Sequence, residues 1–194
     1  MELALDADYW DNRYTNETAK WDIGSASPAI TDYFENIDRS SKILIPGCGN
    51  SYEGEILWLM GFRNIHLIDF ALSTKDNFIK RVPTFPIKQF HVGDFFKFEQ
   101  ENNFDYIIEQ TFYCALNPEL RDTYLIKMKE LMAHYGKLVG LLFDDPLNTD
   151  HPPFGGTKEQ YIARFSKQFT SVEMNPCNNS VGARKGRELF IEVC

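Results

Sequence analysis

The sequence predicts a doubly wound α/β fold, a mostly parallel seven-stranded sheet closed by an antiparallel C-terminal hairpin. Three observations carry this. Short β-like runs alternate with helical patterns through most of the chain, which is the signature of parallel strands joined by crossover helices. One run, Lys137 to Phe143, is almost continuously apolar, as a strand covered on both faces must be. The last two β-like runs have no helical pattern between them, so they pair as a hairpin at one sheet edge.

In chain order, Ile43-Leu44-Ile45 is the first strand, ending in Pro46-Gly47-Cys48-Gly49. A helix over Tyr52 to Met60 places Ile56, Leu57 and Met60 on one face. Asn64 to Asp69 is the second strand and Leu72 to Arg81 the next helix. Phe85 to Val92 and Phe104 to Glu109 are strands three and four. The helix from about Asn117 to His134 has a capping side chain at Asn117, Pro118 in its first turn and Gly136 at its exit. Lys137 to Phe143 is the fifth strand. A Pro/Gly/Asp loop over 144–156 leads to a helix at Thr157 to Lys167. Phe169 to Met174 and Arg187 to Val193 complete the count of seven.

The chain has 194 residues, 43% hydrophobic and 25% charged, and reads as a single domain over 1–194. A chain of this length buries roughly 70% of its unfolded surface and needs no disulfide or metal to fold. The net charge of −8 argues against a nucleic-acid partner. The N-terminus lacks the basic and apolar regions of a signal peptide, and the longest apolar stretch, Leu138 to Phe143, cannot span a bilayer. Cys48, Cys114, Cys177 and Cys194 form no CxxC pair, and the four histidines form no ligand pair, so no metal is expected. A cytoplasmic, monomeric protein with no membrane contact is the expectation.

In a doubly wound sheet, ligands bind beyond the carboxyl ends of the strands, at the switch point. There the sequence places Gly47 and Gly49, whose lack of a Cβ lets a ligand approach the backbone. Asp69 ends strand two, where a carboxylate can hold both hydroxyls of a ribose. Gly93-Asp94 follows strand three, and Glu109-Gln110 ends strand four. Singly these are turn formers and caps; together they mark a nucleoside site. The loop is no Walker A motif, because no Gly-Lys-Ser/Thr follows, and Tyr52 stands where a dinucleotide loop needs its third glycine. Tyr124 is followed by Lys127 and Lys129, at the wrong offsets for a short-chain dehydrogenase. A nucleoside without pyrophosphate, combined with the terminal hairpin, favours S-adenosyl-L-methionine.

Over nearly its whole length the sequence resembles the thiopurine methyltransferase family, and within it the plant halide and thiol methyltransferases. The likeness rests on Trp10, Tyr14 and Trp21-Asp22-Ile23-Gly24, on Pro46-Gly47-Cys48-Gly49, on the run from Glu109 to Arg121, on Pro152-Pro153-Phe154 and on Arg184-Lys185-Gly186-Arg187. The resemblance implies a Rossmann-like methyltransferase sheet with an N-terminal lid, residues 1–30, over the cofactor. It assigns Trp10, Tyr14, Trp21, Gly47, Gly49, Asp69, Gly93, Asp94 and Gln110 to cofactor binding, and Trp21, Phe112, Tyr113, Phe154 and Arg184 to the acceptor pocket. Tyr14 stands where the family often carries Trp, and Gln110 where relatives carry Tyr or Arg.

A sulfonium donor needs positioning more than acid or base help, so no catalytic residue is assigned. The expected reaction is methyl transfer to a small soft nucleophile, a thiol or sulfide, leaving S-adenosyl-L-homocysteine. Three alternatives stand beside it: a halide, selenium or tellurium acceptor; a non-catalytic sensor that keeps the cofactor pocket; and a dehydrogenase.

Overall fold

Leu44 points to one layer of the molecule while its neighbours Ile43 and Ile45 point to the other, and both layers are apolar. That alternation, repeated along each inner strand, forces helices onto both faces of the sheet. The computed structural model describes residues 4–100 and 103–194. Residues 1–3 of the expected lid segment lie outside the described residues.

The strands are β1 (Lys42–Pro46), β2 (Asn64–Asp69), β3 (Phe90–Val92), β4 (Phe104–Gln110), β5 (Met132–Phe143), β6 (Val172–Pro176) and β7 (Glu188–Val193). They form one sheet in the order β3-β2-β1-β4-β5-β7-β6. The five strands from β3 to β5 run parallel, and β7 lies antiparallel between β5 and β6. The chain moves outward from β1 to β3 and then returns to β4 on the other side of β1. The crevice beyond β1 and β4 is therefore the switch point.

Helices α2 (Pro28–Phe34), α3 (Tyr52–Leu59) and α4 (Leu72–Arg81) cover one face. They bury Ile30, Phe34, Leu57 and Phe78 against β1, β2, β4 and β5. Helices α5 (Arg121–Leu131) and α6 (Lys158–Phe165) cover the other, through Tyr124, Leu125, Met128, Tyr161 and Phe165. Each such side chain contributes about 1.5–3 kcal/mol when fully buried. Helix α1 (Ala7–Thr15) lies outside both layers, and its Asp11 accepts the Ser73 amide of α4 at 2.9 Å.

Several boundaries differ from the sequence reading, among them β6, which runs over Val172–Pro176 rather than Phe169 to Met174. Pro86 starts a 3-10 turn, Ile87–Gln89, which shortens β3 to Phe90–Val92. Asn117 caps a 3-10 turn, Pro118–Leu120, ahead of α5 rather than α5 itself. Helix α5 ends at Leu131 because Met132 already pairs with Phe104, and the register then slips so that Tyr106 faces Lys137. Gly136, read as the helix exit, sits in that slip, where a Cβ would meet the backbone of Phe104 and Ala133.

Candidate active site

The loop after β1 turns back over the sheet through Gly47 at φ 55° and Gly49 at φ 52°, the left-handed region that favours glycine. Space demands glycine as well. A Cβ on Gly47 would strike the ring of Phe112, and one on Gly49 would strike the Tyr14 hydroxyl. This loop, the ends of β2 and β4, and the segment from α1 to Ser25 enclose a cavity of about 500 Å³.

Asp69, at the end of β2, holds the loop in place. Its Oδ2 accepts the Gly49 amide at 2.8 Å and its Oδ1 accepts the Ala71 amide at 2.9 Å. Burial pushes its pKa up to about 6, against the lowering effect of those amides. Each carboxylate oxygen keeps a second lone pair, so a ribose hydroxyl can still be accepted. Asp94 accepts the Phe96 amide at 2.9 Å and turns the chain after β3 along the same wall. Gln110 and Ser51 also line the cavity, and each carries a buried side-chain oxygen that has no partner in the protein.

The N-terminal segment brings three aromatic rings together. Trp10 and Trp21 meet edge to face at 5.3 Å, and Tyr14 and Trp21 at 5.8 Å. The Trp21 indole donates to the Tyr14 hydroxyl at 3.0 Å. Asp22 accepts from the Asn50 amide at 2.5 Å, which ties this segment to the glycine loop. Burial, reinforced by Asp69, raises the Tyr14 pKa well above its ordinary value, so the phenol stays neutral.

All nine residues assigned to the cofactor line this one cavity: Trp10, Tyr14, Trp21, Gly47, Gly49, Asp69, Gly93, Asp94 and Gln110. Of the five expected at the acceptor wall, Trp21 and Phe112 line it and three do not. Tyr113 is buried between Tyr124, Tyr161 and Phe165, with the Arg121 guanidinium over its ring. Phe154 is buried, and its backbone bonds Cys114 and Arg121. Arg184 points to Trp21 O and Glu188 instead of the cavity. Leu116, Leu120, Thr123, Pro152 and Pro153 complete the wall. The sequence signalled this stretch only through the Pro-Pro motif and the run around Asn117.

Glu109 faces inward and is fully buried. It accepts the Phe112 and Tyr113 amides at 2.8 and 2.9 Å and the Tyr124 hydroxyl. These bonds hold Thr111 at φ 60° and carry Phe112 over Gly47. Burial pushes the Glu109 pKa up to about 7. Two histidines do pair, against expectation: His66 Nδ1 and His91 Nε2 stand 3.2 Å apart on β2 and β3. Among the described residues, no group of three or more His, Cys, Asp or Glu could hold a metal ion.

A glycine loop, an acidic strand end and an aromatic cluster around one cavity, at the switch point of a doubly wound sheet, are the features of the nucleotide-binding α/β class. Solved structures share the fold. A didemethyltoxoflavin N1-methyltransferase from Burkholderia thailandensis, solved with S-adenosylhomocysteine, superposes with TM-score 0.75 at 11% identity, over 96% of this chain and 85% of that one. A TehB-like S-adenosylmethionine-dependent methyltransferase from Corynebacterium glutamicum gives 0.68 at 17%, over 96% of both. Residues 5–188 match the model of the thiopurine S-methyltransferase family, and the chain belongs to it. Relatives include a probable thiol methyltransferase of Arabidopsis thaliana, 26% identical over 92% of this chain and 81% of its own. A thiocyanate methyltransferase of the same plant is 28% identical, with the same coverage of each chain. The chain is thus an S-adenosylmethionine-dependent methyltransferase, and the Asp69 carboxylate, with lone pairs left beside the cavity, fits that cofactor.

Proposed function

We propose that this enzyme methylates the sulfur of hydrosulfide or a small thiol; a halide, selenium or tellurium nucleophile is the alternative acceptor. One observation carries the reading. Among the described residues, no Lys, Arg or His lines the cavity, and its carboxylates are already engaged. Asp22, Glu53, Asp69 and Asp94 each accept a hydrogen bond from a backbone or side-chain donor of the protein. With no Lys or His to serve as base and each carboxylate already holding a protein donor, the cavity suits an acceptor that ionises on its own. A thiol, with a pKa of about 8.5, does so near neutrality, whereas a protonated amine does not.

The bound cofactor supplies an electrophilic methyl group on a sulfonium. Gly47 and Gly49 give the loop beside it a tight turn against which Phe112 and Tyr14 close, Asp69 holds the ribose, Gly93 and Asp94 flank the adenine, and Gln110 lies at the pocket floor. Trp10, Tyr14 and Trp21 close over it, and the electron-rich indole faces favour a cation. Phe112 and Trp21 exclude water from a soft anion and align it, the main source of rate in such a transfer. A cavity of about 500 Å³, with no side chain filling it, supports an enzyme over a sensor.

We read the chain as a single-domain, cytoplasmic monomer: its four free cysteines are in keeping with a reducing compartment, and no described helix is long and apolar enough to cross a membrane. A methyl-transfer panel of hydrosulfide, thiophenol, iodide and a primary amine tests the reading. Turnover of both sulfur nucleophiles with none of the amine is expected; efficient N-methylation overturns it.

A further inference from the structure

The cation expected at the acceptor, Arg184, has a different occupation. We propose that Arg184 is a positioning residue, a latch that fixes the Trp21 turn of the lid over the S-adenosyl site. The proposal rests on the reading of the cavity as that site.

Arg184 ends a 3-10 turn, Gly182–Arg184, just before β7, and is 6% exposed. One arm of its guanidinium, Nη2, donates to the Trp21 carbonyl at 2.6 Å, across 163 positions of chain. The other arm, Nη1, pairs with Glu188 Oε1 at 3.3 Å, on the first residue of β7. The flat of the group lies over the Phe143 ring at 5.4 Å. The fork therefore spans two bodies, the lid on one side and the sheet on the other.

Beyond Trp21 the connection continues into the site. The indole donates to the Tyr14 hydroxyl, which packs against Gly49, and Gly49 donates to Asp69. A contact path thus runs from β7 through Arg184, Trp21 and Tyr14 to the glycine loop. Asp22 makes the second attachment, to Asn50. A planar guanidinium can donate in two directions at once, whereas a lysine ammonium on a single stem serves the nearer partner. Glu188 explains why Arg184 tolerates burial: each removes the other's unpaired charge. With its two arms donated to Trp21 and Glu188, Arg184 does not line the cavity and makes no direct contact there.

Arg184→Gln and Arg184→Lys test this by three measurements. These are hydrogen exchange of residues 18–26 without ligand, the Kd of S-adenosylhomocysteine by calorimetry, and the KM for hydrosulfide. In both variants, exchange in 18–26 should quicken by about tenfold or more while β4 and β5 stay protected. The Kd should rise about tenfold, the size of effect expected for losing one charge-assisted bond. The hydrosulfide KM should stay within about twofold of wild type. Arg184→Lys keeps a charge beside Glu188 and so carries the test if Arg184→Gln does not fold. Wild-type exchange in 18–26 overturns the latch. So does a raised hydrosulfide KM with unchanged Kd, which returns Arg184 to the acceptor. Failure of the wild-type enzyme to bind S-adenosylhomocysteine would instead sink the assignment of the cavity, while the ligand-free exchange still judges the latch.

Discussion

The Gly49 amide donates to the Asp69 carboxylate at 2.8 Å, so the residue placed to bind a ribose also fastens the loop that shapes the site. Cofactor affinity and local stability are therefore coupled at Asp69. In Asp69→Ala the loop amides of Gly49 and Ala71 lose their acceptor and the ribose loses its own. Hydrogen bonds to charged groups contribute about 1.5–3 kcal/mol each, so affinity for S-adenosylhomocysteine should fall roughly tenfold to a few hundredfold. Calorimetry checks this; an unchanged Kd removes Asp69 from the site.

Asp69 and Glu109 also bend the pH dependence of stability. Burial raises both folded pKa values, to about 6 and about 7, above ordinary unfolded values of about 4. Between those limits the folded protein holds protons that the unfolded chain has released. Stability contributed by these groups thus falls as pH rises from about 4 to 7, by at most about 1.4 kcal/mol per pH unit each. His66 and His91 act oppositely, since burial lowers their pKa values, His66 to about 4, and their contribution grows with pH. Urea titrations from pH 4.5 to 7.5 should show a less negative slope in Asp69→Asn and in Glu109→Gln than in wild type. Superimposable slopes would show that neither carboxyl titrates in this range.

The site features legible in the sequence are those that depend on backbone geometry and strand order. Gly47, Gly49, Asp69 and Asp94 fall at strand ends that alternation alone locates. The direction of a side chain with a distant partner was not legible. Arg184 looked like a free cation because Trp21, its carbonyl partner, is 163 positions away. Tyr113 and Phe154 looked like wall residues because Tyr161 and Arg121, which bury them, sit on other elements. Glu109 shows the same limit, since only the folded turn brings Phe112, Tyr113 and Tyr124 to its carboxylate.

Gly47 and Phe112 form a matched pair, one lacking the atoms that the other's ring displaces. Gly47→Ala meets both the ring and a left-handed backbone that costs a residue with a Cβ about 1–2 kcal/mol. Binding of S-adenosylhomocysteine should weaken by at least about tenfold. Adding Phe112→Ala should restore part of that loss, because it frees the space without relieving the backbone. If the double variant binds no better than Gly47→Ala, the ring is not the obstacle.

The acceptor's own ionisation should set the pH–rate profile. Every carboxylate of the cavity already holds a protein donor: Asp69 accepts two amides, Asp22 accepts from Asn50 and Gly24, Glu53 from Ser27 and Asp94 from Phe96, while Glu109 is turned into the protein. With saturating cofactor and chemistry limiting, the rate with a subsaturating thiol should climb about tenfold per pH unit below the thiol's pKa and level off above it. Replacing an alkyl thiol by a more acidic aryl thiol should move the inflection down by the difference between the two thiols' own pKa values. Neither Glu109→Gln nor Asp22→Asn should shift that inflection, even where they lower the rate. An inflection that stays put when the thiol is changed would reveal an enzyme base and overturn the assignment of none.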